Sequence, residues 1–142
     1  MLPTAADIVA KLPEITGETN SKGDATISIK VTNISEAKST IQRLKGIKRK
    51  LRLVKRESAQ VQTKIRAVNP FDETDTVLSD LLERHISQRI DDNSRKSISF
   101  KKHTLTTLYK QAGFVIDGLI LNIDDMLIQL DDYIAQNREE IW

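Results

Sequence analysis

The sequence predicts an all-α protein: an extended antiparallel helical bundle of coiled-coil-like long helices, with one short N-terminal strand or extended arm. Over two long stretches, apolar residues recur at alternating steps of three and four, the spacing of a heptad seam. Gly and Pro, which interrupt regular structure, number only five and three among 142 residues. We therefore expect an N-terminal arm over 1–33 and a helical domain over 34–142. The predicted helices span about 34–68, 75–90 and 99–137.

The beginning of the arm carries a helix-start signal. Thr4 and Asp7 have the spacing of a capping box, in which each side chain satisfies a free backbone N–H of the other residue. Pro13 is expected to end this short helix because it lacks an N–H. The polar, glycine-containing residues 14–24 then predict a loop. The apolar face of the short helix would comprise Ile8, Val9 and Leu12.

Residues 25–32 alternate strictly between apolar and polar side chains, which is the period of a β-strand. An isolated strand would leave its backbone groups unpaired. The segment therefore requires the same strand of a second copy, an irregular partner strand, or a different conformation. One face of the strand would carry Ile27, Ile29 and Val31.

The first long helix begins with Asn33 as a predicted N-cap and Glu36 three residues later. Ser58 places one polar layer in its seam. Gly46 lies on the outer face, where glycine costs about 1 kcal/mol relative to alanine. The seam consists of Leu44, Ile47, Leu51, Val54, Ser58, Val61, Ile65 and Val68.

The last helix has the strongest pattern, because apolar residues lie on two of its faces. A helix of this kind is expected to contact more than one neighbour. Gly113 and Gly118 fall within it and predict close packing or, at Gly113, a break. Its seam consists of Leu105, Tyr109, Ala112, Ile116, Leu119, Ile123, Met126, Leu130 and Tyr133. Its second row, on the outer f positions of the heptad, consists of Phe114, Leu121 and Ile128.

Charge is distributed in blocks of alternating sign, although the net charge is only +2. Residues 43–66 carry a net +9 and residues 112–142 a net −6, with blocks of −5 and +5 between them. Blocks of opposite sign in one chain favour contacts with each other. We therefore expect the basic helix to pack beside the last helix.

A dense run of basic residues has three interpretations: a solvated or internally paired face, a phosphate-binding face for nucleic acid, or a contact with an anionic membrane surface. The heptad seam passes through the run, which leaves less free surface for a DNA groove. The run contains no Asn or Gln to read bases and no aromatic residue to stack on them. The run consists of Arg43, Lys45, Lys48, Arg49, Lys50, Arg52, Lys55 and Arg56.

No catalytic, metal or cofactor site is predicted. The absence of cysteine excludes disulfides and thiolate chemistry and agrees with a cytoplasmic location. His85 and His103 lie in no known motif, and the sequence has no Gly-rich phosphate loop and no HExxH or GxSxG motif. Asp117, Asp124 and Asp131 repeat at seven, about 10 Å apart on a helix, too far to share one cation. These carboxylates are instead expected to meet Lys or Arg on another helix.

We expect neither a signal peptide nor a membrane span, because the first residues lack a basic and apolar leader and carboxylates interrupt the most apolar stretch.

The predicted function is a non-enzymatic protein–protein interaction module: a scaffold, adaptor or regulatory subunit. The alternative is a nucleic-acid-binding protein that uses the basic run. A homodimer is predicted, and the competing state is a monomeric three- or four-helix bundle. Candidate oligomer contacts are Ile27, Ile29, Val31, Phe114, Leu121 and Ile128.

Overall fold

The computed structural model describes residues 2–68, 81, 84 and 98–140, with side chains omitted at 98–100 and 139–140. The all-α prediction is confirmed, since two long helices pack against each other and the described residues form no strand. The helix predicted over 75–90 lies outside the described residues except at Leu81 and Arg84, which are both helical. The helices are α1 (Ala5–Ala10), α2 (Leu12–Thr16), α3 (Ile34–Ala67) and α4 (Ile98–Glu140).

The predicted capping box forms at the start of α1. The backbone N–H of Thr4 donates to Asp7 Oδ2 at 2.9 Å, and the N–H of Asp7 donates to Thr4 Oγ1 at 3.0 Å. Of the three predicted apolar-face residues, Ile8 and Leu12 are fully buried, whereas Val9 is exposed. The two reciprocal bonds satisfy backbone groups that the first helical turn would otherwise leave free.

The sequence had suggested that Pro13 ends the helical structure, and this prediction is wrong. A turn at Lys11 separates α1 from α2, and Pro13 lies in the first turn of α2, where its missing N–H costs no helical hydrogen bond. The end of α2 is set by Gly17, whose φ of 78° is unfavourable for other residues and whose N–H donates to the Pro13 carbonyl at 2.8 Å. The loop prediction is therefore wrong for residues 14–16.

The strand predicted over residues 25–32 does not form. Only Ala25 pairs, in an isolated antiparallel bridge with Thr19. The turn between them is closed by Asn20, whose Oδ1 accepts the N–H groups of Lys22 and Asp24 at 2.9 and 3.0 Å. Residues 26–32 have neither helix nor strand, because no described segment supplies a partner ladder. Of the alternatives in the prediction, these residues adopt a conformation other than a strand.

The start of α3 agrees with the predicted cap. Asn33 Oδ1 accepts the N–H of Glu36 at 2.8 Å, while Glu36 Oε2 accepts both the N–H and the hydroxyl of Thr32 at 2.9 Å. The helix begins at the predicted residue and ends one residue earlier than expected. Every predicted seam position from Leu44 to Ile65 is buried, and Val68 is half-buried.

The last helix, α4, runs without interruption for 43 residues. Gly113 does not break it. A Cβ placed at Gly113 or Gly118 would meet nothing within 4 Å in the described part of the chain, so neither glycine allows a close helix approach there. The seam is buried at seven of its nine positions, and Met126 and Tyr133 are half-buried.

The chain divides into two compact units. Unit 1 comprises Met1–Ala10 and Val54–Val115, and unit 2 comprises Lys11–Leu53 and Ile116–Trp142. Both α3 and α4 contribute one stretch to each unit. The separation of an arm over 1–33 from a helical domain stays a prediction.

In unit 1, the two long helices run antiparallel. Ser58 Oγ donates to the Tyr109 carbonyl at 3.4 Å, and Lys102 Nζ donates to the Arg66 carbonyl at 3.0 Å. As the residue numbers increase along α3, the numbers of the residues that they contact on α4 therefore decrease. Ser58 is thus buried with its hydroxyl bonded, although the bond is long.

Candidate interaction surfaces

The basic run lies on α3, and seven of its eight residues are exposed. The exception is half-buried Lys48, whose Nζ lies 2.5 Å from Asp124 Oδ1 in unit 2. This ion pair joins the basic block to the acidic block, as the charge pattern had suggested. Arg43 also contacts its own chain, because its Nη2 donates to the carbonyl of Ser28 at 3.3 Å.

Three cations of unit 2 share the outer face of α3. Lys45, Arg49 and Arg52 follow one another at steps of four and three, and we refer to them as the basic row. None of them forms an ion pair or hydrogen bond with a described residue. Leu53 lies beside the row and is 56% exposed. Ion pairs and hydrogen bonds with described residues therefore do not explain why these three cations share one helix face.

The outer face of α4 in unit 2 alternates between apolar and acidic side chains. Leu121, Asp125, Ile128 and Asp132 follow one another at steps of four, three and four, and we refer to them as the acidic–apolar row. Leu121 is 64% exposed and Ile128 is 60% exposed, and both aspartates are exposed. No described residue pairs with either carboxylate.

The two rows lie on opposite sides of unit 2. Each row is on the helix face opposite its own seam, and both seams are buried where the helices pack together. The basic row therefore points away from α4, and the acidic–apolar row points away from α3. A single neighbour on one side can contact only one of them.

Unit 1 has an open apolar groove of about 280 Å³ between α1 and α4. Phe114, the first residue of the predicted second row of α4, is 69% exposed in this unit. Gln111 is the one polar side chain in the groove lining. The lining residues are Ala5, Ala6, Val9, Leu108, Gln111, Ala112 and Val115.

The remaining predicted contact residues belong to the arm in unit 2. Ile27, Ile29 and Val31 are half-buried, whereas Ser28 and Lys30 between them are exposed. Half-buried and exposed side chains thus alternate along the segment, although its backbone forms no strand. Because the segment forms no strand, the pairing of this strand between two copies no longer supports a dimer.

A polar anchor of α1, in unit 1, was missed at the level of sequence. Tyr109 is fully buried, and its hydroxyl donates to the carbonyl of Pro3. Arg84 Nη1 donates to the carbonyl of Leu2 at 2.8 Å, and its Nη2 lies 3.5 Å from Asp7 Oδ2. Burial raises the pKa of Tyr109 to about 12, although the Arg84 guanidinium opposes this rise. A tyrosine in a seam indicates that its buried hydroxyl needs a hydrogen-bond partner, but the sequence does not identify that partner.

Neither His103 nor the aspartate repeat belongs to a metal-binding group among the described residues. His103 is exposed, and His85 lies outside the described residues. Asp124 of the repeat pairs with Lys48, whereas Asp131 is exposed. Across the described ranges, no three His, Asp or Glu side chains are grouped so that they could hold a metal ion.

Among the helices that the structure describes, none is both long enough and apolar enough to cross a bilayer. No protein-family model, no curated protein and no solved structure matches this chain.

Proposed function

We propose that this chain is a non-enzymatic protein-interaction module, a scaffold, adaptor or regulatory subunit, that associates with itself and acts through the outer face of α4. The observation that carries the proposal is the exposure of Leu121 and Ile128, which lie on one helix face away from the seam. Water contact with large aliphatic side chains costs free energy, and their burial by a partner recovers it. A homodimer is the smallest assembly that would do so.

The charges around these side chains favour a protein partner over nucleic acid. Asp125 and Asp132 alternate with Leu121 and Ile128, and carboxylates would repel a phosphate backbone. A partner for this face must therefore supply apolar contact together with positive charge.

The proposal includes a cytoplasmic location, which is supported by the absence of cysteine from the sequence.

Sedimentation equilibrium over a wide concentration range tests self-association. We expect the wild-type chain to rise in mass with concentration, and we expect the variant Leu121→Ser/Ile128→Ser to remain at the mass of one chain. Val9→Ser is the control, because Val9 is an exposed aliphatic residue of unit 1 that lies outside the acidic–apolar row. A wild-type protein that keeps the mass of one chain at every concentration would refute the proposal.

Nucleic-acid binding is the second candidate, and it is favoured by the three cations of the basic row, which form no ion pair with a described residue. An electrophoretic shift assay with duplex DNA at about 50 and about 200 mM salt distinguishes the candidates, because phosphate contacts lose affinity steeply with salt. Tight binding that is salt-sensitive and is lost in Arg49→Gln/Arg52→Gln would favour the second candidate. A weak shift that this variant leaves unchanged would count against it.

A further inference from the structure

The acidic–apolar row is unsuited to pairing with the same row of another copy. In a parallel two-fold arrangement, Asp125 would face Asp125 of the second copy. In an antiparallel arrangement, a register that matches Leu121 with Ile128 brings the aspartates between them together. A register that separates the aspartates places Leu121 and Ile128 against carboxylates. Every two-fold pairing of this face therefore opposes like charges or leaves the apolar side chains poorly covered.

The basic row offers the positive charge and the aliphatic side-chain surface that a partner of the acidic–apolar row needs. Lys45 and Arg52 are seven residues apart, as are Asp125 and Asp132, which is about 10 Å along each helix. Leu53 lies beside the basic row and is exposed. The aliphatic parts of the lysine and arginine side chains can cover Leu121 and Ile128 while their charged ends reach the aspartates.

The geometry points to a second copy of this chain as the occupant of the acidic–apolar row, with the basic row of its α3 packed along α4. This inference rests on the proposed self-association and names the faces that make it. The support is complementarity of charge and spacing between two rows that find no partner among the described residues.

The position of the rows determines how the copies are ordered. Because the rows lie on opposite sides of unit 2, one contact uses the basic row of one copy and the acidic–apolar row of the other. Such a contact is heterologous, or head-to-tail. A dimer is its first product, and that dimer retains one unoccupied row of each kind. Further copies add at higher protein concentration.

Two charge-reversal variants test the inference by sedimentation equilibrium. Arg49→Glu/Arg52→Glu reverses the basic row, and Asp125→Lys/Asp132→Lys reverses the acidic–apolar row. The altered side chains are all exposed, so we expect both variants to fold, which circular dichroism verifies. Lys30→Glu/Lys38→Glu is the matched control for the basic-row reversal, because it lowers the net charge by the same amount at exposed lysines of unit 2 that lie outside both rows.

We expect each reversed variant alone to associate at least about tenfold more weakly than the wild type, because like charges then face each other at every contact. An equimolar mixture of the two variants is expected to recover association, because each contact in an alternating assembly again joins opposite charges. The Lys30→Glu/Lys38→Glu control should associate like the wild type. Higher salt should weaken the wild-type assembly and the mixed assembly alike.

Four results would overturn the inference. Wild-type association that neither reversal weakens would place the contact elsewhere and leave the proposed self-association intact. Loss in the acidic-row variant alone would indicate that α4 meets a surface other than the basic row. Loss in both variants without recovery in the mixture would exclude the pairing of these two rows. A wild-type chain that stays monomeric yet binds a DNA duplex through the basic row would overturn both proposals in favour of nucleic acid.

Discussion

The hydroxyl of Tyr109 donates a hydrogen bond to the backbone carbonyl of Pro3, which lies 106 residues earlier in the chain. The Tyr109 side chain is fully buried in unit 1. Beside it, Arg84 bonds the carbonyl of Leu2 and lies close to the carboxylate of Asp7. The start of the chain is thus attached through two backbone carbonyls, which serve as acceptors for side chains from distant parts of the sequence.

Tyr109→Phe should destabilise the protein by about 0.5–1.5 kcal/mol, because it removes the donor to Pro3 without changing the packing of the ring. Urea unfolding monitored by circular dichroism measures the change. Tyr133→Phe is the control, since Tyr133 is half-buried and its hydroxyl has no partner among the described residues. Equal losses in both variants would show that the Pro3 hydrogen bond contributes nothing specific.

Stability should depend on alkaline pH through Tyr109. Its pKa is raised to about 12 by burial in the folded state and is near 10 in the unfolded chain. Between these values the folded state holds more protons than the unfolded state, so the free energy of unfolding falls as the pH rises. In urea unfolding, the wild type should therefore lose more stability than Tyr109→Phe over this range. A constant difference between the two proteins would contradict the raised pKa.

Two neighbouring leucines of α3 should respond very differently to truncation. Leu51 is fully buried in the seam, so Leu51→Ala should cost about 2–5 kcal/mol. Leu53 is 56% exposed, and Leu53→Ala should change stability by less than about 0.5 kcal/mol. Chemical unfolding at a concentration at which the chain is monomeric compares them. Similar losses would place the seam of α3 on a different face.

The pair between Lys48 and Asp124 should contribute little to stability, despite joining two blocks of opposite charge. Its side chains are 20% and 41% exposed, so water and salt screen the attraction. A double-mutant cycle with Lys48→Met and Asp124→Asn should give a coupling energy of about 0.2–1 kcal/mol that decreases with salt. A larger, salt-independent coupling would indicate a buried pair.

Gly46→Ala should stabilise the protein by about 0.5–1 kcal/mol, because Gly46 lies inside α3 and alanine loses less conformational entropy in a helix. A Cβ at this position meets nothing within 4 Å among the described residues. Ala59→Gly, at an exposed position of the same helix, is the reverse control and should destabilise by a similar amount. Thermal unfolding of both variants measures the changes, and destabilisation by Gly46→Ala would show that glycine is required there.

The seams could be predicted from sequence because burial on a long helix follows from spacing alone. Every predicted position from Leu44 to Ile65 is buried, and so are the positions from Leu105 to Ile123. The strand prediction failed for a related reason. Alternation reports which side chains of a segment are covered, and it did so for Ile27 and Ile29, but it carries no information about a hydrogen-bonding partner.

The candidate surfaces were predicted only in part. The sequence placed Leu121 and Ile128 together on a second apolar row, and it identified the basic run as a whole. The structure adds that both aliphatic side chains are exposed. It could not separate Lys48, which pairs with Asp124, from Lys45, which pairs with no described residue. That distinction depends on which side of α3 the neighbouring helix occupies, and periodicity does not specify it.

The attachment of α1 also sets the order in which the molecule can assemble during synthesis. A six-residue helix has too few hydrogen bonds to offset the cost of its nucleus, so α1 depends on its contacts with the rest of the chain. At a translation rate of about 5–20 residues per second, about 5–20 s separate the synthesis of Pro3 from that of Tyr109. Residues 2–10 are therefore made well before Tyr109, and they acquire these native contacts only after Tyr109 has been synthesised.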